Sequence, residues 1–231
     1  MASIGSGLDV TSDFVLRLRE FTLTTYNNLP NTIFITSLLL GAIQGNLPMI
    51  WVSMGMILNA LTVGTLQEIF GLVFPKWNQV KQPASASCSI VQDADPNNAA
   101  TVVVVAPSHW FSATTYFVVF VLYNAIQVAM RPISAGADKK KVDVRLAFTG
   151  SVIMLSLFFF AILLLRGFTG CETWLGSIAG ILVGSGVAIG YWHLLDVCHS
   201  GVPPDILNVV SATAPPPNGN GTDTPVICSA T

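Results

Sequence analysis

The chain has 231 residues, of which 52% are hydrophobic and only 10% charged, where soluble domains carry roughly a quarter charged residues; its mean hydropathy is +0.65. The net charge of −2 and the scatter of acids and bases exclude the clustered basic face of a nucleic-acid binder. The apolar residues fall into stretches of bilayer-spanning length, so an all-α integral membrane protein is expected, with the lipid bilayer as its first partner.

Asp9 and Asp13 precede any apolar run, so the start lacks the basic region of a cleavable signal peptide. Residues 1–28 read as a polar arm followed by an amphipathic helix. Phe14, Val15, Leu18 and Phe21 recur at helical spacing, with Arg17, Arg19 and Glu20 on other faces. That pattern suits a helix lying at the membrane interface, and suits a helix packed on a soluble partner equally well.

Residues 29–195 read as a bundle of about five transmembrane helices. The first, Asn31 to Gly45, is about half the usual length unless its flanks join it. Pro48 opens the second, which carries Asn59, Gln67 and Glu68, polar groups that lipid does not satisfy and that should face the bundle or an interface. A loop over 75–106 follows, with the valine run at 102–105 as a short strand or an extended approach to the next helix. Pro107 stands where a helix N-terminus favours it, and a third span runs on to Arg131 and Pro132. Lys139, Lys140, Lys141 and Arg145 make the next connection basic, most simply a solvated turn facing lipid headgroups. The fourth span covers about Val144 to Leu165 and the fifth about Glu172 to Leu195, leaving 196–231 as a proline-rich tail. Five crossings place the 75–106 loop and the Arg166 corner on one side of the membrane, and the basic connection and tail on the other.

Cys88 and Cys171 fall on one side and form a candidate disulfide in an oxidising compartment; Cys198 and Cys228 fall on the other. His193, Asp196, Cys198 and His199 gather at the end of the fifth span. With no second cluster to complete a ligand set they read as an interfacial helix end, and neither a metal nor a cofactor is expected. Gly176, Gly180 and Gly184 repeat every fourth residue, the spacing of a close helix-packing face.

Arg166 ends one apolar run and, after a short polar knot, Glu172 precedes the next. Together with Pro107 and Ser108 at the head of the third span, this order of features resembles the type 2 phosphatidic acid phosphatase superfamily, and the corner its dolichyl-diphosphatase branch. The resemblance covers about Leu47 to Trp192. The family brings three motifs to one membrane face, Lys-x6-Arg-Pro, Pro-Ser-Gly-His and Ser-Arg-x5-His. The last histidine attacks phosphorus, the middle one protonates the leaving group, and the cations clamp phosphate oxygens.

Matched residue by residue, the frame persists and the chemistry is lost. Arg166 remains, but Leu165 stands at the serine and Glu172 at the nucleophilic histidine. Pro107 and Ser108 remain, with His109 at the glycine and Trp110 at the histidine, or with His109 as the acid if one residue is deleted. Gln67 falls at the lysine, Phe74 at the arginine and Pro75 at the proline. A phosphate dianion in a low-dielectric site needs cations and donors, and Glu172 brings a like charge. The resemblance therefore implies a catalytically inactive, phosphatase-like membrane protein with no catalytic residues. Proteins of this kind are encoded by large double-stranded DNA viruses, so it further implies a structural part in a virion internal membrane or host-derived membrane, with other virion or capsid proteins as partners. Two alternatives remain open: an active lipid-phosphate or polyprenyl-diphosphate phosphatase using His109, and a lipid-binding module.

Overall fold

The computed structural model describes residues 14–18, 21–22, 24–74, 80–83, 101–104, 106–130, 139–168, 172–198 and 206. Its elements are α1 (Leu29–Gln44), α2 (Leu47–Val73), β1 (Val80–Pro83), β2 (Thr101–Val104), α3 (His109–Met130), α4 (Lys139–Phe168) and α5 (Trp174–Cys198). The protein is an all-α membrane bundle. The two strands pair antiparallel, Val80 opposite Val104 and Pro83 opposite Thr101, as a small ribbon within the 75–106 loop.

Each helix boundary has a local cause. Pro30 lies in the first turn of α1, and Gly45, with φ at 62°, ends that helix in the left-handed conformation that glycine adopts without strain. Asn46 then caps α2, its side chain accepting from the Met49 amide, with Pro48 in the first turn. The Ser108 hydroxyl accepts from the Phe111 amide at the head of α3, and the Thr173 hydroxyl accepts from Gly176 at the head of α5.

Among the described residues, four helical stretches are long and apolar enough to cross a membrane: Leu47–Val73, His109–Met130, Val142–Gly167 and Trp174–Cys198. The expected first span is shorter. With 16 residues, α1 is about 24 Å long, less than the hydrocarbon thickness of about 30 Å. The bundle is thus four long helices and one short one, because Gly45 and Pro48 turn the chain before α1 reaches full length. Upstream of it, residues 14–18, 21–22 and 24–27 are helical, and Phe14, Val15, Leu18 and Phe21 present exposed apolar side chains. The bundle helix α5 runs on through Cys198, three residues past the expected end of the bundle at Leu195.

The hub is α3, which packs against α1, α2, α4 and α5, most extensively against α5. The closeness of that last pair follows from the glycine face. A Cβ at Gly180 would stand 2.7 Å from the Ser108 carbonyl oxygen, and one at Gly184 would overlap the Ser112 carbonyl. Val52, Met56, Tyr116, Phe120, Ala188, Tyr191, Trp192 and Leu195 form the main core between α2, α3 and α5. On α4 the buried residues Arg145, Thr149, Ser156 and Leu163 lie along one face, with Met154, Leu155, Phe158 and Leu165 exposed on the others.

Arg145 departs from the expected solvated turn. It lies inside α4 and is 1% exposed, donating from Nε to the Val128 carbonyl at 3.1 Å, and from Nη2 to the same oxygen. The cause is that α4 begins at Lys139, so Arg145 is already on the helical face shared with Thr149 and turns toward α3.

The glycine face yields a direct test. Gly184→Ala sets a methyl group against the Ser112 backbone and is expected to lower bundle stability by about 1–3 kcal/mol. Gly186→Ala, where a Cβ meets nothing within 4 Å, should leave stability unchanged or raise it by up to about 1 kcal/mol. Unfolding in detergent micelles measures both.

Candidate functional site at the Arg166 corner

The polar residues at the Arg166 end of the bundle converge on one guanidinium. Arg166 ends α4 and is 5% exposed. Its Nη1 donates to Asn27 Oδ1 at 2.8 Å, and its Nε to Glu172 Oε1 at 3.4 Å. The guanidinium carbon stands 4.3 Å from the centre of the Trp110 ring and 5.8 Å from that of Tyr26, within the range in which a cation is attracted to an aromatic face. Trp110 Nε1 donates to the Tyr26 carbonyl at 3.2 Å, and the Tyr26 hydroxyl donates to the Ile162 carbonyl at 3.4 Å. Residues from before α1, from α3, from α4 and from the link into α5 are thereby joined through one side chain.

The neighbouring motif positions are also bonded within the chain. Gln67 donates from Nε2 to the Pro107 carbonyl at 2.8 Å. Ser108 is buried, and its amide donates to the Gly176 carbonyl at 2.9 Å, linking the head of α3 to the glycine helix. His109, in the first turn of α3, is exposed. Phe74 is exposed at the end of α2. Pro75, Cys88 and Cys171 lie outside the described residues, as does the disulfide expected between the two cysteines.

The carboxylate is in a strained electrostatic position. Burial holds the Glu172 carboxyl above the usual carboxylate range, and a Ser108 hydrogen bond, the Arg166 guanidinium and His109 pull it down without cancelling that effect. Oε2 is buried with no hydrogen-bond partner among the described residues. Glu172 thus offsets the Arg166 charge without making a full two-oxygen fork to it.

Sequence reasoning left Tyr26 and Asn27 in the 1–28 segment of arm and amphipathic helix, ahead of the bundle. The structure makes them walls of this site. The available signal was the run from Tyr26 to Pro30: an aromatic residue of the kind found at membrane interfaces, then two asparagines ahead of a helix-opening proline.

At the opposite end, Tyr123 and His193 meet at 3.0 Å between the hydroxyl and Nε2, and Trp192 Nε1 donates to Asn124 Oδ1 at 3.1 Å. No group of three or more histidine, cysteine or acidic side chains suited to a metal occurs among the described residues.

Comparison of the chain with family models, with curated proteins and with solved structures finds no match.

Two outcomes follow from the corner. Arg166→Leu leaves the Glu172 carboxyl buried beside no cation and is expected to cost about 3–5 kcal/mol, part of which returns when Glu172→Leu is added, because both charges then leave together. The second concerns pH. The folded state holds the Glu172 proton more tightly than the unfolded chain does. Its contribution to stability is therefore full below the unfolded pKa of about 4.3 and is lost as pH rises through the higher folded value. Thermal unfolding of wild type and Glu172→Gln from about pH 4 to 7 should show a flatter profile for the variant.

Proposed function

We propose that this chain is a structural membrane protein on a phosphatase-like frame without phosphatase chemistry. The observation that carries the reading is the engagement of Arg166 by Glu172, Asn27 and Trp110. A phosphoryl-transfer site works by cations and donors aimed at the phosphate oxygens. Here the guanidinium is directed at the chain itself, Gln67 is bonded to the Pro107 carbonyl, and Glu172 adds negative charge where an anion would enter. Gln67, Ser108, Trp110 and Arg166 therefore serve helix-to-helix attachment. The structural role we assign is in a virion membrane, contacting other virion or capsid proteins, and this part of the reading rests on the resemblance alone.

Purified full-length protein in detergent, offered phosphatidic acid or a polyprenyl diphosphate, is expected to release phosphate no faster than a protein-free control. Sustained turnover that disappears with His109→Ala would overturn the reading in favour of an active phosphatase.

A further inference from the structure

Two lipid-facing helices of the bundle rise to different heights from a common base. The Asn27–Arg166 bond sets the foot of α1 level with the end of α4. From there Gln44, which ends α1, is seventeen residues away, about 26 Å; Lys139, which begins α4, is twenty-seven residues away, about 40 Å. Both helices turn apolar side chains outward on the way, Ile35, Leu39 and Ile43 on α1 and Val144, Phe148 and Met154 on α4. The belt of apolar surface is therefore about 14 Å shorter on the α1 side.

The contacts of α3 give the same level by a separate route. Ser112 bonds Asn59, which places α2 on α3. Twelve residues on from that bond stand Leu47 at the head of α2 and Asn124 on α3, so the α1–α2 turn is level with Asn124. Arg145 bonds the Val128 carbonyl, and three residues back toward the corner Phe148 comes level with Ala125. Gln44 and Phe148 thus stand at nearly equal height on different sides of the bundle.

Their surroundings differ in polarity. Gln44 and Gly45 are exposed at the turn, and the carbonyls that close a helix have no partner within it. The Asn46 side chain is turned inward, bonded to the Met49 amide and the Ile206 carbonyl. At the same level Tyr123 meets His193, itself exposed, and Trp192 meets Asn124. On α4 the residue at this height is Phe148, an apolar ring 45% exposed.

We infer that the bilayer is thinned beside α1: phospholipid headgroups and their water descend to the α1–α2 turn, while α4 keeps lipid tails against Phe148 and Val144. Tails packed on the turn would leave its polar groups without partners. A bilayer instead thins around a short apolar segment at a modest cost per ångström of mismatch. The partner is thus the headgroup layer of the leaflet nearest Lys139, met at two depths by one bundle. This does not rest on the reading of the Arg166 corner.

The test uses the full-length protein with its four native cysteines replaced by serine, in phosphatidylcholine vesicles with eighteen-carbon chains. A membrane-impermeant maleimide is admitted to both faces by freeze–thaw, and each rate is divided by that of the denatured protein. Gln44→Cys is expected to react at least about tenfold faster than Phe148→Cys, with helix content by circular dichroism unchanged. A second pair guards against a misfolded variant: Leu47→Cys, at the exposed head of α2, should outpace Leu146→Cys, which is exposed and stands higher on α4. In vesicles with fourteen-carbon chains, whose core is thinner, the Phe148→Cys rate should rise severalfold. Equal rates within the pairs mean a flat bilayer and would overturn the inference. So would slow labelling of Gln44→Cys, which means that tails or another chain cover the turn, or a Phe148→Cys rate that ignores chain length.

Discussion

A buried arginine near each end of α4 is the constraint on which the bundle depends. Arg145 and Arg166 lie twenty-one residues apart on that helix, about 31 Å along its axis, close to the thickness of a hydrocarbon core. Most of the α4 surface between them faces outward. In a membrane, lipid tails are as apolar as leucine, so burial alone does not fix where such a helix sits on its neighbour. Two cations bonded to opposite ends of α3 do. Arg145 holds the Val128 carbonyl, and Arg166 stacks on Trp110 while bonding Asn27 and Glu172. The axial register of α4 on α3 is thus set by charged groups with specific partners.

The opposite face of α3 is fixed by closeness. Gly180 and Gly184 leave room for the carbonyls of Ser108 and Ser112, and the Ser108 amide takes the Gly176 carbonyl. Polar contacts run through the same interior. Ser112 donates to Asn59 at 3.0 Å, and Ser37 meets Ser53 at 2.8 Å. Such bonds between helices are worth modest amounts each in a membrane, but they are directional and so select one packing. Asn59 Nδ2 and Thr115 Oγ1 are buried without partners among the described residues, so this seam is not fully satisfied.

These two contacts of α3 share an end, and it is the end that the family resemblance marks for chemistry. Among the described residues, the groups there include the Arg166 guanidinium, the Glu172 carboxyl, the exposed His109 and the Gln67 amide that binds backbone. Positive charge that would stabilise a phosphate is instead balanced within the chain, and the aromatic faces of Trp110 and Tyr26 occupy the space around the guanidinium. An arginine suited to clamping an anion is equally suited to tying helices, because its planar fork and its affinity for aromatic faces serve both uses.

Much of the architecture was legible in the order of residues. Long apolar runs named about five spans, four of which are helices long enough to cross a membrane, Pro48 and Pro107 marked helix heads, and the four-residue glycine repeat marked a close face, because helix period and backbone sterics act locally. The pairing of Arg166 with Glu172 was also legible, since only six positions separate them. What needed the tertiary structure was everything that joins distant segments. Asn27 lies 139 residues from Arg166, and Asn46 lies 160 residues from Ile206. Arg145 looked like part of a basic turn until the start of α4 placed it on the inner face. Periodicity reports which face a residue shares with its own helix. Which distant residue that face meets is decided only when the helices pack.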